Sequence, residues 1–228
     1  MSLLLLIETS TEICSVALSQ DGQQLAIRES DAPYVHAEKI TCFIEECMAE
    51  ANKSLEELSA VALSKGPGSY TGLRVGASAA KGICYALNKP LLAIDTLEAL
   101  ADACRRQYPQ TDAIYCPMID ARRMEVYTAL YDHEGNCLQA AHAHILTETS
   151  FADYQAQGRQ LIGCGNGARK AKQVLPETFL TLRSPNCSAS HLIPLAQRDL
   201  EGGQKVDPAY FSPQYIKPPN ITKSRKIL

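Results

Sequence analysis

Two apolar runs, each ending in an acid and lying 112 residues apart, constrain this chain more than any other feature. At that offset Ile7-Glu8 maps onto Ile119-Asp120, and Ala17-Leu18 onto Ala129-Leu130. The turn glycines Gly22 and Gly135 sit one residue out of register. A strand running into a glycine loop also recurs, at Leu63 to Gly68 and at Leu161 to Gly167. Short apolar runs bounded by polar turns read as buried strands. Either the chain is a duplicated α/β unit or these matches are coincidence. Its 228 residues leave room for two lobes of about 100 residues, each with a real core.

Periodicity fills in the elements. The first half reads as strands at 3–7, 14–19 and 24–28, a helix at 36–52, a strand at 60–64, a helix at 73–87, a strand at 91–94 and a helix capped by Thr96 through Ala103. Ile40, Phe43, Ile44, Cys47, Met48 and Ala51 form one stripe of the first helix. The second half reads as strands at 114–120, 125–131 and near 142–146, a helix near 150–157, a strand at 161–163 and a helix at 168–174. Ser188 or Ser190 then caps a last helix to about Leu200, before a proline-rich, basic tail ending in Lys223, Arg225 and Lys226. Two βββαβα lobes, at 1–104 and 105–228, are the arrangement of the actin, hexokinase and Hsp70 ATPase (ASKHA) group. There, two acid-ended strands face an inter-lobe cleft that takes nucleotide phosphates.

The densest motif runs from Gly66-Pro67-Gly68-Ser69 through Tyr70-Thr71-Gly72-Leu73-Arg74-Val75 to Gly76. It leaves a strand and enters a helix, where backbone amides favour an anion. No Lys-Ser/Thr pair follows at P-loop spacing. Gly72, Gly76 and Ala80 are four apart and allow a close approach by another helix. An anion site using Ser69 and Thr71 competes with a tight packing face, and packing is the favoured reading. Glu8-Thr9-Ser10-Thr11 and Asp120-Ala121-Arg122-Arg123 stand where phosphate loops would be. A kinase of this fold wants Asp, then Gly and a hydroxyl residue. Thr9 replaces that glycine and two arginines crowd the second turn, so magnesium-ATP chemistry is disfavoured.

Other chemistries fare worse. The nine cysteines show no C-x-x-C spacing and sit in apolar runs, as free thiols of a reducing cytosol do. His142 and His144 share a strand face without a third ligand nearby, and His36 is followed four residues later by Ile40, so no metal site is expected. No nucleophile elbow occurs. Leu3 to Ile7 has no basic flank and is too short for a signal peptide or a membrane span, which reads as a cytoplasmic chain. Charge is uneven: residues 1–50 carry 9 acids and 2 bases, residues 151–228 carry 5 acids and 11 bases. Either one end of the chain meets a charged partner, or the asymmetry is chance on a solvated surface.

The glycine motif, with Leu6-Ile7-Glu8-Thr9-Ser10, His36-Ala37-Glu38-Lys39, Ile119-Asp120-Ala121-Arg122, Glu125-Val126-Tyr127 and Asp207-Pro208-Ala209-Tyr210, resembles the bacterial TsaB (YeaZ) family in order along the chain. The resemblance implies the two-lobed ASKHA fold and a place in making threonylcarbamoyladenosine in tRNAs that read codons beginning with adenine. It implies a catalytic paralogue, TsaD, as heterodimer partner, the ATPase TsaE as a third member, and a homodimer when alone. It also implies that this chain is a scaffold rather than an enzyme, because Ile40 replaces the second histidine of TsaD's metal pair. The partner helices would be those carrying His36, Ile40, Phe43, Ile44, Cys47, Met48, Gly72, Arg74, Gly76, Ala80 and Ile83. Glu8, Thr9, Ser10, Thr11, Asp120, Arg122, Gly163 and Gly165 would line a vestigial nucleotide cleft. No cofactor is required on this reading, and ATP or ADP binding stays open. The alternatives are a small ASKHA kinase resembling type III pantothenate kinase, or a homodimeric scaffold with no tRNA role.

Overall fold

A computed structural model describes residues 1–30, 32, 35–183 and 185–218; the basic residues Lys223, Arg225 and Lys226 lie outside them. The order is β1 (Leu3–Glu8), β2 (Ser15–Gln20), β3 (Gln23–Glu29), α1 (His36–Glu50), β4 (Ala60–Gly66), α2 (Tyr70–Leu87), β5 (Leu91–Asp95) and α3 (Thr96–Gln107). It repeats as β6 (Ile114–Asp120), β7 (Glu125–Tyr131), β8 (Cys137–Ile145), α4 (Ala152–Ala156), β9 (Leu161–Cys164), α5 (Ala168–Ala171), β10 (Leu180–Leu182) and α6 (Ile193–Glu201). The first sheet has strand order β3-β2-β1-β4-β5 and the second β8-β7-β6-β9-β10, so the two halves share one topology. In both, the first three strands are antiparallel and the last two join in parallel. The duplicated βββαβα order holds, and each copy extends by one further strand and helix.

Each strand alternates between two cores. Leu3, Leu5 and Ile7 face α1 and α2 with Val16, Leu18, Val61 and Leu63. Leu4 and Leu6 face the other way, onto Leu192, Ile193, Leu195 and Ala196 of the last helical segment. All six residues of β1 are buried, as a central strand covered on both faces must be. The second sheet repeats this, with Tyr115, Ile119 and Ala129 under Leu97, Leu100 and Cys104 of α3. Its opposite face carries Ile114, Cys116 and Met118 against Ala168, Ala171, Leu175 and Phe179. Thus α3, from the first half, covers the second sheet, and α6, from the second half, covers the first. After α6 the chain returns as a strap. Val206 bridges Leu91, Gln214 N–H donates to the Lys65 carbonyl, and Lys217 pairs with Glu125 at 2.6 Å.

Several boundaries move from the sequence reading. α2 starts at Tyr70 because Ser69 Oγ caps it, accepting from Gly72 N–H. Asp95, not Thr96, caps α3, its carboxylate accepting from the amides of Leu97 and Glu98. β8 begins at Cys137, five residues before His142, since Cys137–Ala140 are exposed and show no apolar alternation. α4 is shortened because Ser150 Oγ accepts from Thr147 N–H and Phe151 takes a left-handed φ of 61°. α5 closes after Ala171 and continues only as turns toward Pro176. All nine cysteines are free thiols, seven of them buried and Cys42 and Cys137 exposed. Among the described residues no helix is long and apolar enough to cross a membrane.

Candidate functional site

The two acid-ended strands bring Glu8 and Asp120 to equivalent points, and their surroundings differ. Glu8 is buried, and one carboxylate oxygen accepts from Ser10 N–H (2.6 Å) and Ser64 Oγ (3.0 Å). Burial pushes its carboxyl above the usual glutamate range despite those bonds. Thr9, Ser10 and Thr11 are buried as well, and the Ser10 and Thr11 hydroxyls have no hydrogen-bond partner among the described residues.

The glycine motif accounts for that burial. A Cβ at Gly68 would strike the Ser10 carbonyl, one at Gly72 the Thr9 carbonyl, and one at Gly76 the Thr9 hydroxyl. Ser69 N–H donates to the Ser10 carbonyl at 2.6 Å. Only a glycine face lets α2 lie this close to the turn. Packing therefore prevails over an anion site at this helix start: the Ser69 hydroxyl and amide are both spent within the chain.

Asp120 stands in the open, its side chain 41% exposed. Oδ1 accepts from Arg122 N–H (2.6 Å) and pairs with Lys170 Nζ (2.7 Å), which also donates to the Glu125 carbonyl. Asn166, in the run Gly165-Asn166-Gly167, ties the two turns together. Its side-chain oxygen accepts from Asp120 N–H and its Nδ2 donates to Glu12 at 2.8 Å. Gly165, at φ 89°, and Gly167 leave room for the Met118–Asp120 backbone, and Gly163 lies beneath Leu180 and Leu182. Sequence reasoning passed over Asn166, although two flanking glycines marked it.

The predicted partner residues fall differently from expectation. Ile40, Phe43, Ile44, Cys47 and Met48 are the inner stripe of α1 and pack on the first sheet with Ala80 of α2, while Gly72 and Gly76 lie against the turn at Thr9. They are this chain's own core and cannot form an open face. His36 is buried, its Nε2 3.2 Å from the Ile13 carbonyl, and burial lowers its pKa. Arg74 is exposed and lies 4.1 Å over the Tyr70 ring, with Nε donating to Tyr215 of the strap; Ile83 is half-buried. What α2 presents outward is the complementary set: Thr71, Ser78, Gly82, Tyr85 and Ala86 are exposed, with Val75, Ala79 and Ile83 at their margin. Tyr85 is 88% exposed, and nothing lies within 4 Å of a Cβ built at Gly82.

Residues 30–179 match the family model described as "TsaD: tRNA N6-adenosine threonylcarbamoyltransferase". The chain is 29% identical over 220 residues to "tRNA threonylcarbamoyladenosine biosynthesis protein TsaB" of Escherichia coli K12, covering 94% of each. The solved structure "YeaZ from Pseudomonas aeruginosa" superposes with a TM-score of 0.78 at 29% identity, over 94% of this chain and all of that one. The activator of 2-hydroxyisocaproyl-CoA dehydratase from Clostridium difficile, solved with bound ADPNP, shares the fold at 7% identity and a TM-score of 0.53, covering 89% and 96%.

Proposed function

From the premise that the chain belongs to the TsaD family, and within it to the TsaB (YeaZ) group of tRNA threonylcarbamoyladenosine biosynthesis, we propose that it is the non-catalytic partner of a TsaD-type transferase. On this reading it holds the transferase in a competent conformation, with the TsaE ATPase joining the pair. Alone, the chain forms a homodimer on the same face. tRNA reaches it through the complex, in the cytosol. Its two lobes, 1–104 and 105–228, divide the work, the first binding the partner.

The observation that carries the proposal is the outward face of α2. A row of Ser78, Gly82 and Ala86 beside the exposed Tyr85 is a flat surface with one aromatic anchor. Small residues let two helix axes come to about 8 Å, and Tyr is a preferred interface anchor. His36 supports the non-catalytic role, because its ring nitrogen is spent on the Ile13 carbonyl and Ile40 fills the next turn. At the cleft, Lys170 takes up the Asp120 charge that a kinase would offer to Mg²⁺.

Size-exclusion chromatography with light scattering of this chain mixed with its organism's TsaD tests the reading. A 1:1 peak should replace the homodimer. Gly82→Leu should leave the fold intact, since its side chain enters open space, and weaken the complex by about 1–3 kcal/mol, roughly tenfold to a hundredfold. If wild-type protein forms no complex, with TsaE and ATP present or absent, the reading falls.

A further inference from the structure

The hairpin turn between β6 and β7 is made at a backbone cost. Arg122 and Arg123 both take positive φ, 71° and 48°. Two successive left-handed residues are the pattern that hairpin turns ordinarily give to Asn-Gly. Of the four other non-glycine positions of positive φ, Asp21, Asn52 and Asn88 carry the residue types that tolerate it, and Phe151 does not. Arginine lacks the short polar side chain that helps Asn and Asp there, so both residues take this conformation against local preference.

Their charges are unspent. Arg28, Arg74, Arg105, Arg106, Arg159, Arg183 and Arg198 each engage a carboxylate, a carbonyl or an aromatic partner. Among the described residues, Arg122, Arg123 and Arg169 engage none. Arg169 is the chain neighbour of Lys170, which reaches across to Asp120 and the Glu125 carbonyl at the two ends of the turn. Two of the nearby acids are paired, Asp120 with Lys170 and Glu125 with Lys217 of the strap, while Glu12 accepts a hydrogen bond from the neutral Asn166 amide. What remains is three exposed arginines that form no ion pair among the described residues.

Resting on the function proposed above and deepening it, we propose that the Arg122-Arg123 turn, with Arg169, is a phosphodiester-docking surface through which this subunit itself touches RNA. Guanidinium forks match phosphate oxygens in a way that exposed lysines do not. Such contacts position the nucleic acid without reading its sequence.

The test is filter binding of an unmodified tRNA transcript by the full chain, alone and with TsaD, across a salt series. Arg122→Gly/Arg123→Gly removes both charges and also relieves the left-handed strain. The variant should melt a few degrees higher than wild type. It should bind RNA at least about tenfold more weakly at low salt, with a log–log salt slope shallower by about 2. Unchanged affinity and slope, with light scattering showing that the complex forms, overturn this surface and leave the partner reading intact. If no complex forms, the partner reading fails on its own, and binding by the chain alone decides the surface. Polyglutamate of matched charge displacing the tRNA as well as cold tRNA does would assign the turn to an acidic protein segment and overturn it too.

Discussion

The turn at residues 9–14 and the turn at 121–125 join equivalent strands after equivalent acids, yet one is a lock and the other a display. In the first, the glycine face of α2 presses onto Thr9 and Ser10 and buries Thr9, Ser10 and Thr11 with Glu8. In the second, α5 is only four residues long; Gly165 and Gly167 lie against the end of β6, and beyond it only the Asn166 amide and the long arm of Lys170 reach toward the turn. The acid stays in water and the two arginines project. The backbone plan was copied, and the helix that follows the glycine loop decides what each copy does. Close approach to the turn itself converts a potential phosphate loop into packing, whereas a shorter helix that stops at the strand end leaves the second turn exposed.

The largest effect should come from Gly72→Ala, whose methyl would enter the Thr9 carbonyl. Overpacking of this kind costs about 3 kcal/mol and should lower the urea midpoint accordingly. Gly82→Ala on the same helix, with open space around it, should instead gain about 0.5–1 kcal/mol. Equal effects at the two positions would break the contrast between an inner and an outer face.

Glu8→Gln sharpens the comparison through pH. Burial raises the folded-state pKa of Glu8 above its ordinary 4.5, so the folded protein keeps this proton to higher pH than the unfolded chain does. The stability linked to it is present at low pH and lost as pH rises through the folded value. Denaturation at a series of pH values should show wild type losing stability relative to Glu8→Gln above about 4.5. A constant difference across that range would mean Glu8 is not the proton holder. Asp120→Asn should matter least. Its ion pair is partly exposed and contributes at most about 1 kcal/mol, and asparagine can still accept from Arg122 N–H.

Much of this was legible in the residues, for definite reasons. Ile114–Asp120 and Glu125–Tyr131 are strands to the residue, because apolar runs with polar bounds leave little choice. β10 went unseen because three residues, Leu180–Leu182, show no period. The helix stripe at Ile40, Phe43, Ile44, Cys47 and Met48 was legible as a period, and the structure lays it on the first sheet. Periodicity says which residues share a side, and only the sheet beneath says which side is inner. The glycine motif pointed to close packing but against another helix; what it meets is the turn at Thr9, about sixty residues upstream, and no local signal links them. Asn166 and Lys170 act through side chains that cross between elements, and spacing cannot show that reach.

The exchange of α3 and α6 between the sheets bears on how the chain is made. When the ribosome has released the first five strands, Leu4, Leu6, Ala62 and Ile94 still face solvent, because their cover arrives only with residues 189–196. The first sheet thus waits, half bare, for the far end of the polypeptide. Contacts between segments so distant in sequence close slowly and leave apolar surface open meanwhile. Synthesis that stops near the midpoint would release a sticky fragment rather than a small working lobe, so the two copies stand or fall as a single cooperative unit.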